Sequence, residues 1–221
     1  MTVFLTVVLN FVDYNMLKKL IYIDMDDVVS KTTDTYTGIV EQEFGKQVLF
    51  EQIVTFDLRA SFGLTENEFH YFFDLIHQPD HLLGFEPVEG SVDALVNWAH
   101  AGHCIEIVTG RPTSALEVSL EWLEKHGVPF DSFTMVDKYN RPGNDPAIAI
   151  SKEDLCRRTY DLAVEDSREM ALFLATTMGV PVALYDRPWN VQPINHERVV
   201  RCASWQNIGE QLPGAGQAPN L

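Results

Sequence analysis

Basic residues are scarce: 16 lysines and arginines stand against 32 aspartates and glutamates in a chain of 221 residues, a formal net charge of -16. Such a surface repels phosphate backbones and anionic bilayers, so long nucleic acid and membranes are excluded as partners. A small phosphorylated metabolite stays compatible wherever local cations or a metal offset the field. Cysteine is scarce too. Cys104, Cys156 and Cys202 are scattered, odd in number and form no CxxC pair, which excludes a disulfide framework or zinc ribbon and fits reduced cytosolic thiols. Long hydrophobic runs are missing. Residues 2–12, TVFLTVVLNFV, are too few to span a bilayer, with no basic residue placed before them and no A-x-A-like cleavage site after them. The expectation is a cytoplasmic protein whose residues 1–15 are a dispensable extension ahead of a natural start at Met16, with 213–221 a frayed tail. No internal repeat is visible. With 46% hydrophobic and 22% charged residues, the chain suits one sizeable core with a small inserted subdomain, not two full domains.

What is present is an alternation. Leu20–Ile23 is an apolar run ending in aspartates, the pattern of a central parallel strand delivering polar groups at its C-terminal end. Residues 31–85 are rich in aromatics, lack strand runs and read as helices and loops. A helix from Ser91 stopped by Gly102, a strand over 104–108 and a helix over Thr113–His126 closed by Gly127 follow. Strands over 133–136, 162–164 and 182–185, with a helix over 168–178, complete the series. The fold class is therefore α/β: a doubly wound, Rossmann-like parallel sheet with a small helical insertion after the first strand. The domain reading is 16–29 with 86–212 as core and 30–85 as insertion. In such sheets ligands bind beyond the carboxyl ends of the strands.

Three strand ends carry chemistry. In Asp24-Met25-Asp26-Asp27-Val28, extended geometry sends Asp24 and Asp26 to one side and Met25 to the other. Two carboxylates at ~4 Å repel by roughly 4 kcal/mol at an effective dielectric near 20, so a cation or shared proton is needed. An acidic turn at a helix N-terminus is the plain alternative. An EF-hand is not, because Val28 and Val29 stand where Asp or Asn and Gly are required. In Val108-Thr109-Gly110-Arg111-Pro112, a hydroxyl and backbone N–H groups can face a phosphoryl oxygen, or Thr109 can simply cap the next helix. Glu165-Asp166-Ser167 brings further carboxylate to the same edge, or again an N-cap. Lys152 can supply the cation this crowd of acids requires, with Lys138 its competitor for the role.

The order D-x-D-x-V, hydrophobic-T-G-R-P, Lys, E-D-S resembles the haloacid dehalogenase (HAD) superfamily from about Leu20 to about Trp189, and most of all its small 5′(3′)-deoxyribonucleotidase-like branch of C-type 5′-nucleotidases. The helical insertion, Glu86-Pro87-Val88-Glu89-Gly90 and Tyr185-Asp186-Arg187-Pro188-Trp189-Asn190 carry the likeness to that branch. The resemblance implies a magnesium-dependent phosphomonoesterase, a nucleotidase acting on (deoxy)nucleoside monophosphates. Asp24 is then the nucleophile and Asp26 the general acid/base. Thr109, Gly110, Arg111 and Lys152 hold the substrate. Magnesium (Mg2+) is bound by Asp24, the carbonyl of Asp26 and Asp166, with Glu165 behind them. Two departures stand out: Asp27 where relatives often have Gly, and a Lys152-to-Asp166 spacing that is short for the superfamily at large.

The insertion is expected to form a helical cap, with Phe44, Phe56 and Tyr71 facing the cleft unless they build its own core, and Arg59 and Arg111 meeting a second anionic or polar group. A sugar or small-metabolite phosphatase is the alternative within the superfamily. A silent phospho-ligand-binding module or receiver domain is the alternative outside it. A dehalogenase has no need of Asp26. A nucleic-acid end-processing phosphatase conflicts with the charge. The sequence leaves room for a homodimer.

Overall fold

The computed structural model describes residues 18–211 apart from Tyr139, Arg141 and Pro142; the extensions read at 1–15 and 213–221 lie outside the described residues. Seven parallel strands form one sheet: β1 (Leu20–Asp24), β2 (Cys104–Thr109), β3 (Ser132–Val136), β4 (Ala149–Ile150), β5 (Leu162–Glu165), β6 (Val182–Tyr185) and β7 (Val199–Cys202). Their spatial order is β4-β3-β2-β1-β5-β6-β7. The chain moves outward from β1 in one direction, then returns to its other side, so the C-terminal end of β1 is a topological switch point.

Burial on both faces explains the apolar run of β1. Ile21 and Ile23 pack on one face with Ile105, Ile107 and Val164, and Tyr22 on the other with Val108, Ala163, Val182 and Leu184. The second face is covered by α8 (Arg168–Thr176) through Met170, Ala171 and Leu174. The first is covered by α5 (Ser91–His100), α6 (Leu116–Lys125) and α9 (Trp205–Gln211), with Trp98, Trp122 and Trp205 all buried. The helix expected over Thr113–His126 opens as a 3-10 turn, Thr113–Ala115, before α6 begins. The sequence pattern did not disclose β4, β7, α9 or the one-turn helix α7 (Lys152–Leu155). β4 has two residues, and β7 is largely half-buried, so neither makes an apolar run.

Between β1 and α5 lie α1 (Thr32–Phe44), α2 (Leu58–Ser61), α3 (Glu66–Ile76) and α4 (Pro79–Leu83). The entry and return of this insertion are stitched together: Ser30 bridges both Asp26 and Pro87, Val88 N–H donates to the Val29 carbonyl at 2.7 Å, and Lys31 N–H donates to the Glu86 carbonyl at 2.8 Å. Its buried Tyr36, Phe62 and Phe72 belong to the same apolar cluster as Ile21 and Trp122, so its packing runs on into that of the sheet. Among the described residues, no helix is long and apolar enough to cross a membrane.

Candidate active site

Register fixes what meets at the switch point. Asp24 pairs with Val108, and Ile23 with Val164, so Asp24, Thr109, Glu165 and Asp166 leave the sheet at one level. Carboxylate oxygens of Asp24, Glu165 and Asp166 all lie within 4.8 Å of one another, and all three residues are buried. Lys138, just past β3, reaches into them: its Nζ contacts Asp24 Oδ1 in a very short ion pair and Glu165 Oε2 at 3.3 Å. Tyr22 donates its hydroxyl to Glu165 Oε2 at 2.9 Å. Burial, then the Glu165 charge, pushes the Asp24 carboxyl well above the ordinary range against the pull of Lys138. Asp166 is pushed up likewise by burial and by its neighbours Asp24, Glu165 and Asp27. Ionised together, three carboxylates facing one ammonium would leave an excess of two negative charges in a dry place, the excess that a divalent cation offsets. The oxygen-only donor set suits a hard cation such as magnesium.

Asp26 stands apart from that cluster, in a clamp. Arg111 donates Nε to Oδ1 at 3.0 Å and Nη2 to Oδ1 at 2.7 Å, Thr32 donates its hydroxyl at 2.7 Å, and Thr109 donates its hydroxyl to Oδ2 at 3.3 Å. Burial works to raise Asp26, but the Arg111 charge and these bonds outweigh it and hold the carboxyl below its ordinary range. Arg111 is itself buried, with Nη1 on Ser119 Oγ at 3.0 Å. Its guanidinium is thus spent inside the protein, not turned to a second anionic group as expected. Gly110, half-buried, lies between Thr109 and Arg111.

Asp27 is where the motif bends. Its φ of 59° is left-handed, a conformation that a residue without Cβ adopts most readily. The carboxylate is not idle: it accepts from Thr33 N–H at 2.9 Å and from the Thr33 hydroxyl at 2.5 Å, tying the loop to α1, and its carbonyl accepts from Arg187. Burial raises Asp27 to about 6. With a folded value above the unfolded one, stability falls as pH rises from about 4 to about 6. Asn tolerates left-handed φ and keeps one acceptor. Asp27→Asn should therefore melt several degrees higher than wild type at pH 7 in EDTA, with the gap closing near pH 4, in a pH series of thermal melts.

Of the residues expected to form the site, Asp24 and Asp166 come together, while Asp26 and Thr109 meet each other beside them. Lys152 does not join. It begins the short α7, pairs with the largely exposed Glu169 on α8 at 3.1 Å and rests over the Phe173 ring, and Lys138 occupies the place among the acids. Glu165 lies within the acid cluster itself. Phe44 is half-buried against Tyr71 and Phe72 inside the insertion, Tyr71 turns its hydroxyl to Glu43, and Arg59 is exposed. Phe56 is the one of the three expected aromatics that reaches the site's surroundings, packing edge-on against Trp189. Tyr22, Trp189 and Asn190 were not foreseen: Trp189 Nε1 donates to Asp166 Oδ2 at 2.8 Å, and Asn190 Nδ2 to the Asp166 carbonyl at 2.7 Å. The sequence signal for the last two was the P-W-N turn following β6.

Comparison with known proteins places these features. Residues 18–213 match the model of the family described as 5′ nucleotidase, deoxy (pyrimidine), cytosolic type C protein (NT5C). A "Putative nucleotidase" of Halalkalibacterium halodurans is 27% identical over 183 residues, covering 83% of this chain and 87% of that protein. A second protein so described, from Bacillus subtilis, is 23% identical over 188 residues, covering 83% and 88%. Among solved structures, a "putative phosphoglycolate phosphatase" from Lactobacillus delbrueckii aligns with a TM-score of 0.57 at 16% identity, over 87% of this chain and 97% of that one. A HAD-superfamily hydrolase from Geobacter sulfurreducens aligns at 0.53 with 18% identity, over 87% and 95%.

Proposed function

The chain belongs to the NT5C family of HAD-like nucleotidases and is a phosphoric monoester hydrolase; on that premise we propose that it is a cytoplasmic, magnesium-dependent enzyme that hydrolyses (deoxy)nucleoside monophosphates through an aspartyl-phosphate. One observation carries the reading: the buried cluster of Asp24, Glu165 and Asp166 with Lys138 among them. Asp24 and Asp166 would hold the metal with the Asp26 carbonyl, and the ion would offset the negative charge of acids and ester.

An Asp24 carboxylate oxygen attacks phosphorus as the ester P–O bond breaks, and the leaving oxygen takes its proton from Asp26. In the second displacement Asp26 accepts a proton from water, the water oxygen bonds to phosphorus, and the Asp24 carboxylate leaves. Lys138 and Thr109 hold the phosphoryl oxygens. Arg111 favours the carboxylate form of Asp26, the form needed for the second step. The charge of a bound ester raises its proton affinity for the first. The insertion acts as the cap that excludes water.

The test is phosphate release from nucleoside 5′- and 3′-monophosphates beside sugar phosphates, with magnesium, with EDTA, and with Asp24→Asn as the blank. Nucleotides should be preferred and release should require magnesium. A preference for sugar phosphates would leave the chemistry standing and remove the nucleotide reading. Magnesium binding without turnover on any substrate would point to a silent binding module.

A further inference from the structure

We propose that Trp189 is a positioning residue that couples the placement of the 50–56 segment of the insertion to the orientation of the Asp166 carboxylate. The inference rests on the metal-binding reading of Asp166. The backbone of Trp189 is tied to the strand ends: Pro188–Asn190 is a 3-10 turn after β6, and buried Asn190 anchors it by donating to the carbonyls of Asp166 and Tyr185. Arg201 on β7 in turn donates to Asn190 Oδ1 at 2.9 Å. The indole, though, faces two ways. Its N–H holds Asp166 Oδ2 at 2.8 Å, and its ring meets Phe50 and Phe56 edge-on, with centroids at 5.6 and 5.8 Å.

Phe56 is 47% exposed, and the stretch is held to the rest of the protein by the buried Ile53 and by the contact of Phe50 and Phe56 with Trp189. Fixing one carboxylate oxygen by an N–H sets the plane of the group, and the loss of such a partner behind a metal ligand weakens metal binding by about 10–100-fold. The coupling has to be reciprocal: if the rings of Phe50 and Phe56 help to seat the indole on Asp166, then a cation seated on Asp166 steadies the rings.

The experiment is magnesium binding by titration calorimetry without substrate, with hydrogen exchange of amides 49–57 followed in EDTA and in magnesium. Asp166→Asn is the blank. Trp189→Phe, which keeps a ring and loses the N–H, should bind magnesium about 10–100-fold more weakly while melting as wild type in EDTA. The double variant Phe50→Ala, Phe56→Ala should bind several-fold more weakly although neither ring touches Asp166, and it carries the test by itself if Trp189→Phe does not fold. Magnesium should slow exchange over 49–57 in wild type and not in Trp189→Phe. Wild-type affinity in both variants, or exchange indifferent to magnesium in wild type, overturns the coupling and leaves the metal site intact. Absence of Asp166-dependent binding in wild type overturns the metal reading along with it.

Discussion

Asp24→Asn should reduce phosphate release by about 10⁴-fold or more while leaving the protein folded. Removal of a covalent nucleophile costs on the order of 10⁶ in kcat elsewhere, and an amide cannot replace the attacking carboxylate. The expected companion result is less usual. The Asp24 carboxyl is held well above its ordinary range by burial and by Glu165, so its ionised form works against the fold when no metal is present. By the sign of that shift, the cost is absent below the unfolded value and grows as pH rises from there towards the raised folded value. Asp24→Asn should thus melt no lower than wild type in EDTA at pH 7–8, even though it removes a partner from Lys138. Steady-state phosphate release and thermal melting on the same preparation check both halves. Activity within tenfold of wild type would remove Asp24 from the role of nucleophile.

Lys138→Met should lower kcat/KM by about 10²–10³-fold, the usual cost of one donor to the charge that develops in the transition state. It should also destabilise the metal-free fold by about 3–5 kcal/mol, because the acids around it lose their buried counter-charge. Lys152→Ala should change neither property measurably: its pairing with Glu169 lies on the surface, where such a contact contributes ~0–1 kcal/mol. Kinetics and denaturant melts of the two variants side by side decide between the lysines. A large loss with Lys152→Ala would return the phosphate to that residue.

The choice between these lysines marks where the sequence stops being readable. Asp24, Thr109 and Asp166 were found from it because each ends an apolar strand, and strand ends meet wherever the sheet is parallel. Lys138 and Lys152 each follow a strand too, so spacing alone cannot separate them. The sheet order does: β3 lies next to β2 and only one strand from β1, whereas β4 is the outermost strand on that side. Arg111 was legible as a cation beside the site but not as the clamp on Asp26, since a sequence does not distinguish an arginine kept for substrate from one spent on an internal carboxylate. Trp189 is a contact between residues far apart in the chain, and no periodicity announces such a pair. The edge strands escaped because strand recognition depends on burial, and edges have little.

The central position of β1 has a consequence for how the protein is made. Leu20 pairs with Cys104 and Ile21 with Leu162, so the first strand to be synthesised finds both of its neighbours only much later in the chain. At about 5–20 residues per second, Leu20–Asp24 waits roughly seven to thirty seconds between its own synthesis and that of β5. Until β2 is made Leu-Ile-Tyr-Ile is an unpaired apolar segment on a nascent chain, and until β5 is made one of its edges stays open, the kind of strand that pairs wrongly or needs shielding by a chaperone. The same ordering means that no shortened chain ending before Asp166 holds a complete acid cluster. On the proposed mechanism, termination before Asp166 should therefore release a fragment that is both sticky and inert.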